Sequence, residues 1–171
     1  MAEALLANRL AELGLTARVS SGGMLGEGAP PHPEAATVMA GLGLDIATHR
    51  SRRVTAEDLE AADLTLAMAR ENLRYAVVTA PAVWPRAFTL KELVRRGTAA
   101  GRLEPGESLA AWLARVHQGR ERAALLGDSA ADDVADPAGG SSAGYAETAA
   151  ILSGLLDQLV ALCLAEETPE K

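Results

Sequence analysis

The chain has 171 residues, 16 basic and 23 acidic for a net charge of -7, and is 49% hydrophobic with only 3% aromatics. That length suits one domain burying about 70% of its unfolded surface, with a core built from Ala, Leu and Val. The acidic balance argues against nucleic acid or an anionic membrane as partner, and no apolar run approaches the roughly 20 residues needed to span a bilayer. Cys163 is the single cysteine, which excludes an intrachain disulfide framework and a cysteine-type zinc cluster. Met1-Ala2-Glu3-Ala4-Leu5-Leu6 has neither the basic head nor the cleavage site of a signal peptide. The expectation is a soluble, single-domain, cytoplasmic protein.

In chain order, Leu6, Leu10 and Leu13 fall at i, i+4 and i+7, predicting a helix over 2–13 with Gly14 just past its end and no capping residue before it. Residues 16–20 alternate like a short strand ending in Ser21-Gly22-Gly23, the Gly- and Pro-rich stretch 24–33 is a loop, and a second helix covers 34–41. Thr55 followed by Asp58 reads as a capped helix start. Residues 62–68 read as a buried strand feeding a helix from Arg70, and residues 87–90 as a further strand before a helix over 91–96. The stretch 98–142 is the least regular, with one helix over 108–116 and an acidic, Gly/Ser-rich loop. The last helix runs over 145–165, and 166–171 is a flexible tail. Helices alternating with short buried strands favour an α/β fold with a parallel sheet.

The chemistry-bearing residues each have a plain alternative. Cys163 lies on the apolar stripe of Leu152, Leu156 and Leu159, where core packing outweighs nucleophilic use. His32, His49 and His117 are scattered without acids at ligand spacing, so no metal or cofactor is expected. The cluster His49, Arg50, Arg52, Arg53 suits an anion, but a solvated basic turn is the stronger reading. Ser20-Ser21-Gly22-Gly23 at a strand end offers backbone N–H groups to a phosphate, but no Lys follows at P-loop spacing. Asp132, Asp133 and Asp136 precede Pro137-Ala138-Gly139-Gly140. An acidic loop is normally just solvated; the Asp136-Pro137 step also stiffens the backbone and suits holding a general acid over a site.

Read in order, the segments resemble the low-molecular-weight protein-tyrosine phosphatase family over nearly the whole chain. The carriers are Met1-Ala2-Glu3-Ala4-Leu5-Leu6 as the first helix, Val19-Ser20-Ser21-Gly22 as a strand and turn, and Gly28-Ala29-Pro30 before the second helix. Gly43-Leu44-Asp45-Ile46 with His49-Arg50-Ser51-Arg52, then Ala62-Asp63-Leu64-Thr65-Leu66-Ala67-Met68, and finally Val134-Ala135-Asp136-Pro137 with Tyr145 complete the series. The resemblance implies a three-layer, flavodoxin-like doubly wound parallel sheet, no cofactor, phosphotyrosine protein substrates, and Asp136 as the acid that protonates the leaving phenolate. Ala138 stands where many relatives carry an aromatic residue, which leaves substrate preference open.

The family signature is Cys, five residues and Arg, followed by Ser or Thr and usually Pro, directly before that first helix. These 171 residues contain no such sequence, and Cys163 does not substitute because Pro169 lies six residues on. The resemblance therefore implies an N-terminally truncated chain, without the first, central strand, the nucleophile, the phosphate loop and the Arg clamp, and inactive as it stands. Four buried Val/Leu-type side chains on that strand are worth about 6–12 kcal/mol, comparable to a whole domain's roughly 5–15 kcal/mol, so poor stability is expected. A second reading is a non-catalytic binding or regulatory module that completes its sheet with a strand from a partner or in a homodimer. An arsenate reductase is a third, disfavoured because Cys163 does not resemble a resolving thiol.

Overall fold

Helix α1, Ala2–Glu12, begins without a side-chain cap at Met1 and buries Leu5, while Leu13, at its C-cap, is 41% exposed. Gly14 follows with φ +68° and donates its N–H to Ala11 O at 3.0 Å, ending the helix as a left-handed glycine does. Helix α2, Pro33–Gly41, starts with proline in its first turn, and the His32 ring accepts from the Glu34 N–H. These features come from a computed structural model that describes residues 1–163. The predicted tail over 166–171 and the last two residues of the predicted final helix lie outside the described residues.

The chain divides into two compact units, Met1–Val54 with Val134–Asp157, and Thr55–Asp133 with the stretch from Gln158 onward. In the first unit the strand expected over 16–20 does not form. Residues 16–20 carry no regular structure and only Val19 among them is partly buried. Alternation makes a strand only where a neighbour supplies hydrogen bonds, and the pairing here falls later, as a single parallel bridge between Gly23 and Arg53. Gly23 donates to Arg52 O at 2.9 Å and accepts from Val54 N–H at 3.0 Å. Gly22 permits the approach: a Cβ there would lie 3.1 Å from the Val54 Cβ.

The second unit opens with α3, Ala56–Ala61, under a reciprocal cap in which Thr55 accepts from Asp58 N–H and Asp58 accepts from Thr55 N–H. Strand β1, Thr65–Ala67, then feeds α4, Arg70–Thr79, and a 3-10 turn at Pro81–Arg86 leads into β2, Ala87–Thr89. The two strands pair in parallel, Leu66 opposite Phe88, with α4 packed on both. This is a βαβ unit, and the expected α/β class with a parallel sheet is what the chain adopts. All of β2 is buried, and Thr89 turns the chain directly into α5, Leu90–Ala100, by accepting from the Glu92 N–H. Helix α6, Leu109–His117, is capped by Ser108 and plants the fully buried Trp112 with its indole N–H on Gly101 O at 2.8 Å.

Helix α7, Ser142–Cys163, contributes to both units. It is 22 residues long and contains an 18-residue window of mean hydropathy 1.4, which by length and composition alone would suffice to cross a bilayer. Ala149, Leu152, Leu156, Leu159 and Val160 of α7 are buried within the chain, the one-sided apolar stripe of an amphipathic helix.

Candidate functional site

A cavity of about 360 Å³ opens at the start of α1, where unsatisfied backbone N–H groups and the helix dipole favour negative charge. Its lining includes Glu3 from α1, Ser21 from the turn after the unformed strand, His32 from the α2 cap, and Asp45 and His49. The Ser21 hydroxyl donates to the Glu3 carboxylate, and His49 Nδ1 stands 3.9 Å from the same carboxylate. Asp45 is occupied by the Ala47 N–H at 2.8 Å. Thus Ser21 and the Asp45–His49 stretch, distant from each other in sequence, converge with Glu3 on one polar wall.

His32 does more than fill a loop. Its Nδ1 accepts from Glu34 N–H at 3.3 Å, and its ring stacks on the buried Tyr145 ring at 5.0 Å with the planes 10° apart. The arginines of the basic run after it bond to nearby backbone and to a hydroxyl. Arg50 donates to the carbonyls of Ala47 and His49 at 2.9 and 2.7 Å, Arg53 to Met24 O at 3.3 Å, and Arg52 to the Ser20 hydroxyl at 3.5 Å. The Ser20–Gly23 segment likewise uses its Gly23 N–H in the bridge rather than in an open phosphate cradle.

Asp136 lies in the loop before α7, exposed, with one carboxylate oxygen accepting from the Ala138 N–H at 2.9 Å. This two-residue turn sets its side chain across Pro137, and Asp136 is not among the residues lining the cavity. Cys163 is partly buried, and burial pushes its thiol up to about 11, so it is neither a thiolate nor a nucleophile at neutral pH. Among the described residues no group of His, Cys, Asp and Glu is placed to hold a metal. His117 is instead half of an aromatic cluster, edge-on to Trp84 at 5.4 Å, and burial, with Arg120 and Arg96 beside it, lowers its pKa from the ordinary value.

The pairings in two buried charge clusters of the second unit had no sequence signal, and the burial of Asp132 departs from the solvated acidic loop expected there. Arg120 pairs with Glu92 through two 2.8 Å bonds, and Asp132, 6% exposed, receives Arg70 and Arg95. Partners 28 and 37 or more residues apart leave no local spacing to read.

A polar cavity at a helix N-terminus is an arrangement that suits an anionic ligand. The family model described as low molecular weight phosphotyrosine protein phosphatase matches residues 1–124. The chain belongs to that family. A low molecular weight protein tyrosine phosphatase from T. tengcongensis is 31% identical with a TM-score of 0.69, over 94% of this chain and 87% of that one. A YwlE mutant from Bacillus subtilis is 27% identical (TM-score 0.68, 94% and 86% covered). The YwlE arginine phosphatase from Geobacillus stearothermophilus is 26% identical (TM-score 0.66, 94% and 80% covered). No curated protein sequence matches the chain.

Proposed function

We infer that the chain is the scaffold and acid-bearing part of a cysteine-dependent protein-tyrosine phosphatase of reducing compartments, and that Asp136 is its general acid. Family membership carries this reading. It is supported by the exposed Asp136 carboxylate, held by the Ala138 N–H in an Asp-Pro loop, where it has room to meet a leaving oxygen. Hydrolysis by this route needs a thiolate in line with phosphorus, backbone N–H groups around the phosphoryl oxygens, and an Arg clamp. The thiolate attacks phosphorus, the leaving alcohol takes its proton from Asp136, and water then releases phosphate from the thiophosphate. The one thiol in these 171 residues is the protonated Cys163, so the residues by themselves are expected to be inactive.

The test compares the 171-residue chain with the same chain preceded by a strand and a Cys-x5-Arg-Ser-Pro segment, on p-nitrophenyl phosphate and phenyl phosphate. Turnover only in the extended form is expected, with Asp136→Asn slowing phenyl phosphate hydrolysis by about 10²–10⁴-fold. Turnover by the 171 residues alone would sink the reading. No turnover in a folded extended form would favour the non-catalytic module, which completes its sheet with a partner strand or as a homodimer.

The similarity to an arginine phosphatase motivates a second substrate, phosphoarginine, and the absence of an aromatic residue at Ala138 does not favour a phenyl group over it. Rates of the extended form on matched phosphotyrosine and phosphoarginine peptides decide between them.

A further inference from the structure

His117, the last residue of α6, turns a ring nitrogen toward a cation that cannot give way. Its Nδ1 lies 3.0 Å from Arg120 Nη1. A guanidinium has donors only and keeps its charge, so this nitrogen accepts, and the ring is neutral with its proton on Nε2. The ring stands edge-on to Trp84 and Phe88, 84° from each plane. Those same two rings enclose Arg120, each 3.9 Å from its guanidinium carbon.

A second proton on this ring would sit on Nδ1, setting donor against donor and charge against charge. Arg120 is fixed by two 2.8 Å bonds to Glu92 and by the carbonyls of Trp84 and Ala87 at 3.1 and 2.9 Å. Arg96, from α5, bonds the carbonyls of Val116 and Gln118 on either side of His117 and brings another cation. Arg122 stands 6.0 Å from the centre of the Trp84 ring. Glu92 favours a charged imidazole, but both its oxygens are given to Arg120. The C-terminal end of α6 also favours a cation, yet burial, Arg120 and Arg96 prevail and hold the His117 pKa below the ordinary 6.5. What can move is His117 itself, half-buried and followed by the exposed Gln118 and by Gly119 with φ +73°.

We propose that His117 is an acid-releasable pin for the end of α6: neutral, it is held by Arg120, Trp84 and Phe88, and charged, it swings into water and frees the turn over 117–120. The sign follows from proton linkage. The unfolded chain takes up this proton more readily than the folded one, so the stabilisation is complete above the unfolded value near 6.5 and is lost as pH falls from there through the lower folded value.

The test is amide exchange in the 171-residue chain at pH 7 and pH 5, with rates corrected for the intrinsic effect of pH. The Arg120 N–H on His117 O at 3.1 Å and the Gln118 N–H on Arg115 O at 3.3 Å report on the turn, and the Trp112 N–H on Ser108 O at 3.0 Å reports on the start of the same helix. Protection at 118 and 120 should fall about fivefold at pH 5, the loss of roughly one hydrogen bond, with Trp112 unchanged. His117→Asn keeps a side-chain acceptor that does not titrate, and His117→Phe keeps the ring edge without the acceptor; in both, protection should be the same at the two pH values. Acid loosening that persists in either folded variant, or a wild-type turn that exchanges equally at pH 7 and pH 5, overturns the pin. The ring nitrogen resonances check it without any variant: the proton should lie on Nε2 at pH 7, and His117 should titrate below the same ring in urea. A proton on Nδ1 at neutral pH, or titration at or above the urea value, overturns it as well.

Discussion

Arg120 is enclosed on both faces of its guanidinium, 3.9 Å from the Trp84 ring centre and 3.9 Å from that of Phe88, with its side chain 2% exposed. Its nitrogens also satisfy Trp84 O at 3.1 Å and Ala87 O at 2.9 Å besides the Glu92 carboxylate. Truncation to Ala would strand a buried carboxylate and two carbonyls, and breaking such a pair costs about 3–5 kcal/mol. Arg120→Ala should therefore melt well below the wild type, and Arg120→Ala with Glu92→Leu should recover part of the loss. Asp132 makes a pH prediction. Burial pushes its carboxyl up, but hydrogen bonds and charge from Arg95 and Arg70 outweigh that and leave its pKa below the ordinary value. A depressed folded pKa means stability present above the unfolded value of about 3.9 and lost as pH falls through the folded one. Urea midpoints should thus fall between pH 5 and pH 3 more steeply for the wild type than for Asp132→Asn. An equal slope would mean the two arginines do not hold the charge. At this scale the Asp136-Pro137 turn was legible, because an Asp-Pro step is local, whereas the pairings Glu92–Arg120 and Asp132–Arg95 were hidden, because only the fold brings those partners together.

Helix α5 packs so closely through Gly97 that a Cβ there would meet Trp112 Cζ2 at 2.9 Å and Leu162 Cδ1 at 3.1 Å. An Ala in a helix interior gains up to about 1 kcal/mol over Gly, while overpacking a filled core costs about 1–3 kcal/mol. The rigid, fully buried Trp112 ring, anchored by its N–H on Gly101, has no room to shift, so the second effect wins. Gly97→Ala should lower the melting temperature, and a rise would show that α6 gives way. The helices were readable because their signals are local: the Thr55/Asp58 cap, the glycine at position 14, and the Ser108 start all appear where the sequence placed them. Strand β1 proved shorter than the apolar run 62–68 suggested, and the strand over 16–20 did not form. Both depend on a neighbouring backbone, which alternation in one segment does not reveal.

At the scale of the molecule, the expectation of a single domain meets a chain whose contacts fall into two compact units. Compactness and cooperativity are different properties, and the distribution of aromatics allows them to be separated. Trp84 and Trp112, the only two tryptophans, both belong to the second unit, whereas α1, α2 and the buried Tyr145 belong to the first. Helix α7 carries residues of each, Ser142–Asp157 in one and Gln158–Cys163 in the other. A continuous helix propagates more readily than it nucleates, so loss of one end removes support from the rest, and chains of this size usually unfold in one step. Thermal melts followed by tryptophan emission and by far-ultraviolet circular dichroism should accordingly coincide, with the calorimetric enthalpy equal to the van't Hoff value. A tryptophan transition displaced from the loss of total helicity would make the two units separate folding domains, with α7 divided between them at Asp157.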